Sequence, residues 1–458
     1  MSVSIVRGNA LDLPLEDNSV DLVCTSPPYF GLRSYQDGGE HYTGQLGSEP
    51  TPAEFVDALI AATREMVRVT KPSGSIFVNL GDKYAGVGGP NQSGEAVGDT
   101  ARRQARTQNN LYDAASRNGD GIRSKSLFGI PWRYALRCID DLGLILRAEI
   151  IWSKPNGLPE SVTDRVRRSH EQWFHFTLQP RYFSAVDEVR GAYDTADRKG
   201  TRSSYEPGQT SGNTLAGHSS KSDAGLPLNP LGKLPGSVWE IPTQPLTVPA
   251  HLGVDHFAAF PMEWPRRIIQ GWSPAGICVE CGEGRRPVVA SVALNMDRPQ
   301  ARRAHALATD AGLTEAHFDA LLSVGVSDTG RGAATQSGTG KNTAEVYALA
   351  AEAREALGGY AREYLLRRPS GFTYACACPE PTADTTPATI LDPFGGTGTT
   401  ALVAHALGRH GISVDMSADY CRLAQWRTSD RGQLAAAMQV EKPAAVMDGQ
   451  LDMFGEAI

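Results

Sequence analysis

With 458 residues, 41% of them apolar and 21% charged, the chain can hold two or three folded domains of ordinary globular composition. No run of 18 apolar residues occurs and the first residues, MSVSIVRGNA, carry no apolar signal segment, so neither a membrane span nor secretion is expected. A net charge of −7 offers nucleic acid no bulk attraction. Local basic clusters do occur at Arg102, Arg103 and Arg106, at Arg165, Arg167 and Arg168, at Arg266 and Arg267, at Arg285 and Arg286, and at Arg302 and Arg303.

Two short β segments, residues 3–9 and 20–25, flank a turn at Asp17-Asn18. Residues 51–69 carry a helical stripe of Phe55, Leu59, Met66 and Val69, with Thr51 as N-cap and Pro52 in the first turn. Lys71-Pro72-Ser73-Gly74 ends that helix and SIFVNL reads as a buried strand, so the segment is a βαβ unit of a parallel sheet. Residues 86–126 are polar and aperiodic, a long loop expected to order on a ligand. A helix is predicted over Pro131–Asp141, a strand over LILRAEIIWSK, a strand pair over 169–184, a second polar loop over 192–236 and a helix over 256–272.

The character then changes. Residues 278–378 are bracketed by Cys278 and Cys281 on one side and Cys376 and Cys378 on the other, with a mostly helical middle. The expected domain layout is therefore 1–274, an inserted domain over 275–379, a return to the first domain over 380–440 and a frayed tail over 441–458. Four thiolates suit tetrahedral zinc, with Gly282 allowing the tight CxxC knuckle; free thiols are the alternative. Seven cysteines in this pattern fit a reducing compartment better than a disulfide framework. Residues 311–328, with Gly312-Leu313-Thr314 at a turn, can form a helix-turn-helix, or helices that merely pack on the rest.

After Ala388 a strand, a glycine-rich turn and a helix follow: Thr389-Ile390-Leu391, then Asp392, Pro393, Phe394, Gly395, Gly396, Thr397 and Gly398, then Thr399. Glycines let a backbone approach a ligand, and a helix N-terminus presents free N–H groups. The loop is not a phosphate-binding Walker motif, because no Lys-Ser/Thr follows the glycines; SGTGKNT at 337–343 fails that pattern too. Near the other end, Thr25 leads into Ser26, Pro27, Pro28 and Tyr29. A hydroxyl, a carbonyl fixed by a rigid proline turn, and an aromatic ring are the parts needed to hold a planar amine and draw on its hydrogens. Cys24 lies inside an apolar strand and reads as a core thiol.

Together TSPPY and DPFGGTGTT, in that order, resemble the catalytic and cofactor loops of site-specific DNA amino-methyltransferases of the β class, in which the two halves are permuted. Further matches are Gly8-Asn9-Ala10, where Asn9 stands in place of the usual acid, Asn79-Leu80-Gly81-Asp82, Trp152-Ser153-Lys154-Pro155-Asn156, Ser169-His170-Glu171, and Phe260-Pro261 with Glu263. The resemblance implies a doubly wound, mostly parallel α/β sheet of Rossmann-like methyltransferase type with an inserted helical domain. It implies S-adenosyl-L-methionine bound by Asn9, Phe260, Pro261, Glu263, the loop from Asp392 to Thr399, and Asp415, whose carboxylate takes the ribose hydroxyls. It also implies a cytoplasmic enzyme of bacterial or phage origin acting on double-stranded DNA, in the company of a restriction endonuclease or other defence component. Serine at position 26 points to the N4 amine of a flipped cytosine, with adenine N6 as the alternative. An RNA base, a protein amide or a catalytically inactive DNA-binding module are remoter readings. The arginines at 102, 103, 106, 165, 167, 168, 302 and 303 are the candidate DNA contacts.

Overall fold

The computed structural model describes residues 3–31, 36–37, 40–41, 44–85, 122–157, 162–192, 231–249, 252–253, 259–291, 294, 296–318, 320–321, 344–365, 369–376 and 383–441. The chain divides into two compact units, one of Met1–Phe183, Gly236–Ile277 and Thr385–Ile458, the other of Ser184–Pro235 and Cys278–Asp384. The candidate DNA contacts Arg102, Arg103 and Arg106, and the candidate metal ligand Cys378, lie outside the described residues.

The first unit is built on an eight-stranded sheet. Its strands are β1 (Val3–Arg7), β2 (Val20–Thr25), β3 (Thr70–Leu80), β4 (Ile145–Ser153), β5 (His170–Thr177), β6 (Val238–Glu240), β9 (Thr389–Asp392) and β10 (His410–Asp415). The order across the sheet is β1-β10-β9-β2-β3-β5-β4-β6. Every pairing is parallel except the two made by β5, to β3 and to β4. β2 is buried along its whole length, as expected of a strand covered on both faces.

Helix α1 (Pro52–Val69) starts where the sequence says it should. The Thr51 side chain accepts from the Glu54 N–H, and the Glu54 carboxylate accepts from the Thr51 N–H, a reciprocal capping box. Phe55, Leu59, Met66 and Val69 are all buried. With α2 (Ile130–Leu142), α1 packs on the face of the sheet that carries Val23, Ile76 and Val78. Side chains alternate along a strand, so Phe77 projects to the other face, where its ring meets Trp272 of α3 (Glu263–Trp272). α6 (Thr399–Ala406) packs on α3, β9 and β10; α7 (Ala418–Ser429) packs on β1 and β10, and α8 (Arg431–Met438) on α6 and α7. Helices on both faces of a mostly parallel sheet make this a doubly wound α/β fold.

Three expected elements differ. β3 begins at Thr70, because Lys71-Pro72-Ser73-Gly74 bulges out between the pairs Val20↔Thr70 and Leu22↔Ser75 rather than ending the helix as a free turn. Residues 169–184 form one strand, not a pair. β5 stops at Thr177 opposite Ser75, and the chain then turns so that the Phe183 N–H meets the Ser73 carbonyl. The helix expected from 256 begins at Glu263; residues 259–262 are not helical and 254–258 lie outside the described residues.

The second unit combines helices with a β ribbon that the helical pattern concealed. β7 (Arg286–Ser291) and β8 (Pro369–Ala375) pair antiparallel. The helices α4 (Pro299–Asp310) and α5 (Ala344–Leu357) share a small core of Ala304, Ala308, Phe318, Leu321, Ala353, Leu357 and Tyr364. Phe318 and Tyr364 stack with ring centroids 4.2 Å apart.

Candidate active site

The sheet topology explains how residues so distant in sequence meet. β1, β10, β9, β2 and β3 run parallel, so their C-terminal ends share one edge of the sheet. β4 and β6 run the same way, while antiparallel β5 begins at that edge. Gly8 and Asn9 follow β1, Ser26 follows β2, Asn79 lies near the end of β3, and Lys154 follows β4. Glu171 lies at the start of β5, Thr243 and Gln244 follow β6, Pro393 follows β9, and Asp415 ends β10. All of these line one cavity of about 650 Å³, together with Pro27, Pro28, Tyr29, Trp152, Phe260, Phe394, Gly395, Gly396, Thr397, Thr399 and Tyr420. That size suits a nucleoside-sized ligand with a second group beside it.

The two motif loops are tied together behind the cavity. Thr25 Oγ1 donates to Asp392 Oδ1 (2.6 Å) and Thr400 Oγ1 to Asp392 Oδ2 (2.9 Å), while the Phe394 N–H also reaches Oδ1 (3.2 Å). Asp392 is 1% exposed and does not line the cavity. Burial pushes its carboxyl up to about 6, against the lowering effect of the Thr25, Thr400 and Phe394 hydrogen bonds. The structure thus places Asp392 as a cross-loop tie rather than on the wall. Pro261, Gly398 and Glu263 are off the lining as well, and the Glu263 carboxylate is engaged with Arg267 at 2.6 Å.

The glycine-rich loop is shaped by close packing. A Cβ on Gly395 would sit 1.8 Å from Ser413 Oγ on the adjoining strand. Gly398 has φ +71° and opens α6, where a side chain is disfavoured and Ala424 leaves no room. Asp415 faces the cavity with Oδ2 accepting from the Gly396 N–H and Oδ1 from the Ser417 N–H, both at 2.9 Å. Asn9 lines the cavity with its Oδ1 turned back on the Leu11 N–H (3.0 Å), a local turn in place of an acid. Behind the loop, Arg427 is 3% exposed and donates to Thr397 Oγ1 and Thr399 Oγ1, both at 2.7 Å. Burial brings its guanidinium down to about 10.

On the other side, the Tyr29 ring lies against Gly81, where an added Cβ would meet ring carbons at 2.6 and 2.9 Å. The Tyr29 hydroxyl lies 2.7 Å from both Asn79 Oδ1 and Glu171 Oε2. Lys154 pairs with the other oxygen of Glu171 and lies over the Trp152 ring, 4.1 Å from its centroid. The matched strings around 79, 152 and 169 foreshadow these positions. Their chemistry is not legible there, because it depends on which strand edge they share. Cys24 is fully buried in β2, and burial raises its thiol well above the ordinary range.

The remaining candidates lie elsewhere. In the first unit, the Arg165 guanidinium stacks on Tyr84 (3.9 Å to the centroid), Arg167 donates to the Gly157 carbonyl, and Arg168 faces Asp82 at 3.5 Å. Asp82 in turn accepts the Gly129 and Ile130 N–H groups at the start of α2. In the second unit, Arg302 and Arg303 are exposed on α4, with Arg302 donating to the Met296 and Asp297 carbonyls. The sulfurs of Cys278, Cys281 and Cys376 lie within 4.8 Å of one another. The ribbon accounts for this: Arg286 pairs with Ala375, so Cys376 returns beside the knuckle in which the Gly282 N–H donates to the Cys278 carbonyl.

Comparison with known proteins gives a consistent family signal. The N6/N4-type "DNA methylase" family model matches residues 20–279 and 385–426. The Type II methyltransferase M.XycI of Xanthomonas campestris pv. cyanopsidis is 37% identical over 205 residues, covering 43% of this chain and 61% of the relative. M.Cfr9I of Citrobacter freundii is 34% identical over 203 residues, covering 43% and 62%. The chain thus spans about three fifths of the length of these curated relatives. Among solved structures, PvuII DNA methyltransferase (cytosine-N4-specific) aligns with a TM-score of 0.45 at 15% identity, over 96% of this chain and 91% of that one.

Proposed function

The chain belongs to the N6/N4 DNA methylase family, and from that premise we propose that it methylates the exocyclic N4 amine of a cytosine flipped out of double-stranded DNA. The observation that carries this is the convergence of TSPPY and DPFGGTGTT on one cavity at the carboxyl edge of the sheet. S-adenosylmethionine supplies an electrophilic methyl group. The residues present fit it: Asp415 sets a carboxylate on the cavity wall, the group that takes ribose hydroxyls in dinucleotide folds, Phe394 and Phe260 offer apolar walls, and the start of α6 presents N–H groups at Thr399.

The chain's own part is to prepare the amine. An exocyclic amine is a weak nucleophile because its lone pair is delocalised into the ring. Ser26 Oγ and the Pro27 carbonyl accept the two amine hydrogens, which draws nitrogen towards a tetrahedral geometry and localises the lone pair. Tyr29 walls the extruded base, its ring held by Gly81 on one side and its hydroxyl by Asn79 and Glu171. Nitrogen would gain the methyl group as the methyl–sulfur bond breaks, the bonding pair staying on sulfur, and one amine proton would pass to solvent. The preference for cytosine rests on Ser26 and is supported by Lys154, a lining residue of the cavity whose ammonium pairs with Glu171. Cytosine carries N3 and O2 acceptors beside its amine, whereas adenine carries only N1 on that edge.

Incubating plasmid DNA with the protein and S-adenosylmethionine, then sequencing for modified bases, tests this reading. N4-methylcytosine in one short sequence context is expected, and Ser26→Ala should lower the initial rate at least about tenfold. N6-methyladenine alone would overturn the base assignment. An unmodified plasmid beside calorimetric cofactor binding would overturn the DNA substrate.

The segment between the two family-matched stretches is proposed as the target-recognition domain, with Arg302 and Arg303 on its exposed helix and a cognate endonuclease as partner. Cys278, Cys281 and Cys376, joined by Cys378, are proposed to hold a structural zinc that closes the base of the ribbon. Elemental analysis of freshly purified protein should find one zinc per chain, reduced by Cys281→Ser. Protein with no metal would remove the claim. Among the described residues no helix is long and apolar enough to cross a membrane.

A further inference from the structure

A serine in the position of Ser26 carries a problem that an aspartate would not. A carboxylate can only accept hydrogen bonds, whereas a hydroxyl can also donate. If Ser26 turned its proton towards the target amine, it would bond to the nitrogen lone pair and block the attack it is meant to assist. Something must hold that proton away from the cavity.

A buried amide is placed to do so. Ser26 Oγ donates to Asn79 Oδ1 at 3.2 Å. The Tyr29 hydroxyl has one proton, and the same Oδ1 and Glu171 Oε2 both lie 2.7 Å from it. The orientation of the Asn79 amide follows from its other end, where Nδ2 donates to the Gln172 main-chain carbonyl at 3.0 Å. A flipped amide would set two oxygens against each other there, so Oδ1 is the atom that faces Ser26. Asn79 is 1% exposed in β3, held between its paired neighbours β2 and β5.

We propose that Asn79 is a positioning residue that takes up the Ser26 proton on one lone pair of Oδ1 and so makes Ser26 a pure acceptor towards the amine, while its second lone pair and Glu171 share the Tyr29 proton. This rests on the methyltransferase reading of the same cavity. It also explains how a hydroxyl can serve there: the pair Ser26–Asn79 presents the amine with the acceptor-only face that a carboxylate would present alone.

Two variants of Asn79 separate this from a packing role. Asn79→Leu keeps the branched shape and heavy-atom count with a bulkier end, and removes the acceptor for Ser26 together with the donor to the Gln172 carbonyl. It should lower kcat about 100-fold while the calorimetric Kd for S-adenosylmethionine stays within about threefold. Asn79→Asp restores function, because a buried protonated carboxyl can donate to the Gln172 carbonyl and accept from Ser26 as the amide does; its kcat should stay within about tenfold of wild type. Equal losses in the two variants, or an active Asn79→Leu, would overturn the proposal. A weakened cofactor Kd in Asn79→Leu would reassign Asn79 to folding alone. Wild-type protein is the control that keeps the readings apart: if it methylates DNA and Asn79→Leu does too at the same rate, only this inference fails, whereas an inactive wild type sinks both.

Discussion

Gly395→Ala is expected to weaken S-adenosylmethionine binding at least about 100-fold, roughly 2.7 kcal/mol, as read by calorimetry. The reason is space rather than backbone conformation. The new methyl would lie 1.8 Å from Ser413 Oγ, 2.9 Å from its Cβ and 3.2 Å from its Cα. Rotating the serine hydroxyl away cures only the first of these contacts. The other two belong to β10, which is paired to β1 on one side and β9 on the other and cannot retreat. The loop must move instead, and it carries the Gly396 N–H that is bonded to Asp415. Overpacking of this kind costs about 1–3 kcal/mol even where neighbours can adjust. Removing the obstacle should reverse the loss: Gly395→Ala with Ser413→Gly should recover at least about tenfold in affinity. A double variant no better than the single one would show that the glycine serves some other purpose.

Ser413 marks the boundary between what the chain discloses in one dimension and what it discloses only when folded. The motif at 392–400 and its strand-turn-helix setting are legible, because glycine, threonine and strand residues there lie within one local segment. The same holds for α1, whose capping box and apolar stripe are short-range features. The neighbour that makes Gly395 necessary sits one strand away, and that pairing is not written in local periodicity. Glu171 and Lys154 are a sharper case. They reach the cavity because β5 runs against the sheet and starts at the edge where β4 ends. A strand pair over 169–184, as the local pattern suggests, gives no means of placing them there. The ribbon β7–β8 is hidden for the opposite reason: the helices between its strands dominate the local pattern, and its strands meet across more than 75 residues. Asp392 reads from its motif as a cofactor contact, and only the folded chain shows its carboxylate already occupied by Thr25 and Thr400.

The burial of that carboxylate has a consequence for stability opposite in sign to the usual one. Burial raises the Asp392 carboxyl from 3.8 to about 6, so the folded chain holds this proton more tightly than the unfolded chain does. A group of this sign leaves stability untouched below its unfolded value and lowers it as pH rises through its folded value. Each tenfold difference in proton affinity between the two states is worth about 1.4 kcal/mol, so between about pH 4 and pH 6 the first unit should lose about 3 kcal/mol through this residue. Asp392→Asn removes the titration without emptying the site. Its Oδ1 still accepts from Thr25 and Phe394, and an Nδ2 in place of Oδ2 can donate to Thr400, which then turns its own proton from position 392 to the Cys24 carbonyl, 3.1 Å away. All seven tryptophans lie in the first unit, so urea unfolding followed by tryptophan fluorescence reports on it alone. The stability of Asp392→Asn relative to wild type should improve by about 3 kcal/mol between pH 4 and pH 8. A difference that does not change with pH would mean that Asp392 is ionised at its ordinary value. The same variant decides between tie and ligand: a carboxylate that only joins the two loops can be replaced by an amide with little change in cofactor Kd, whereas one that binds the cofactor directly cannot.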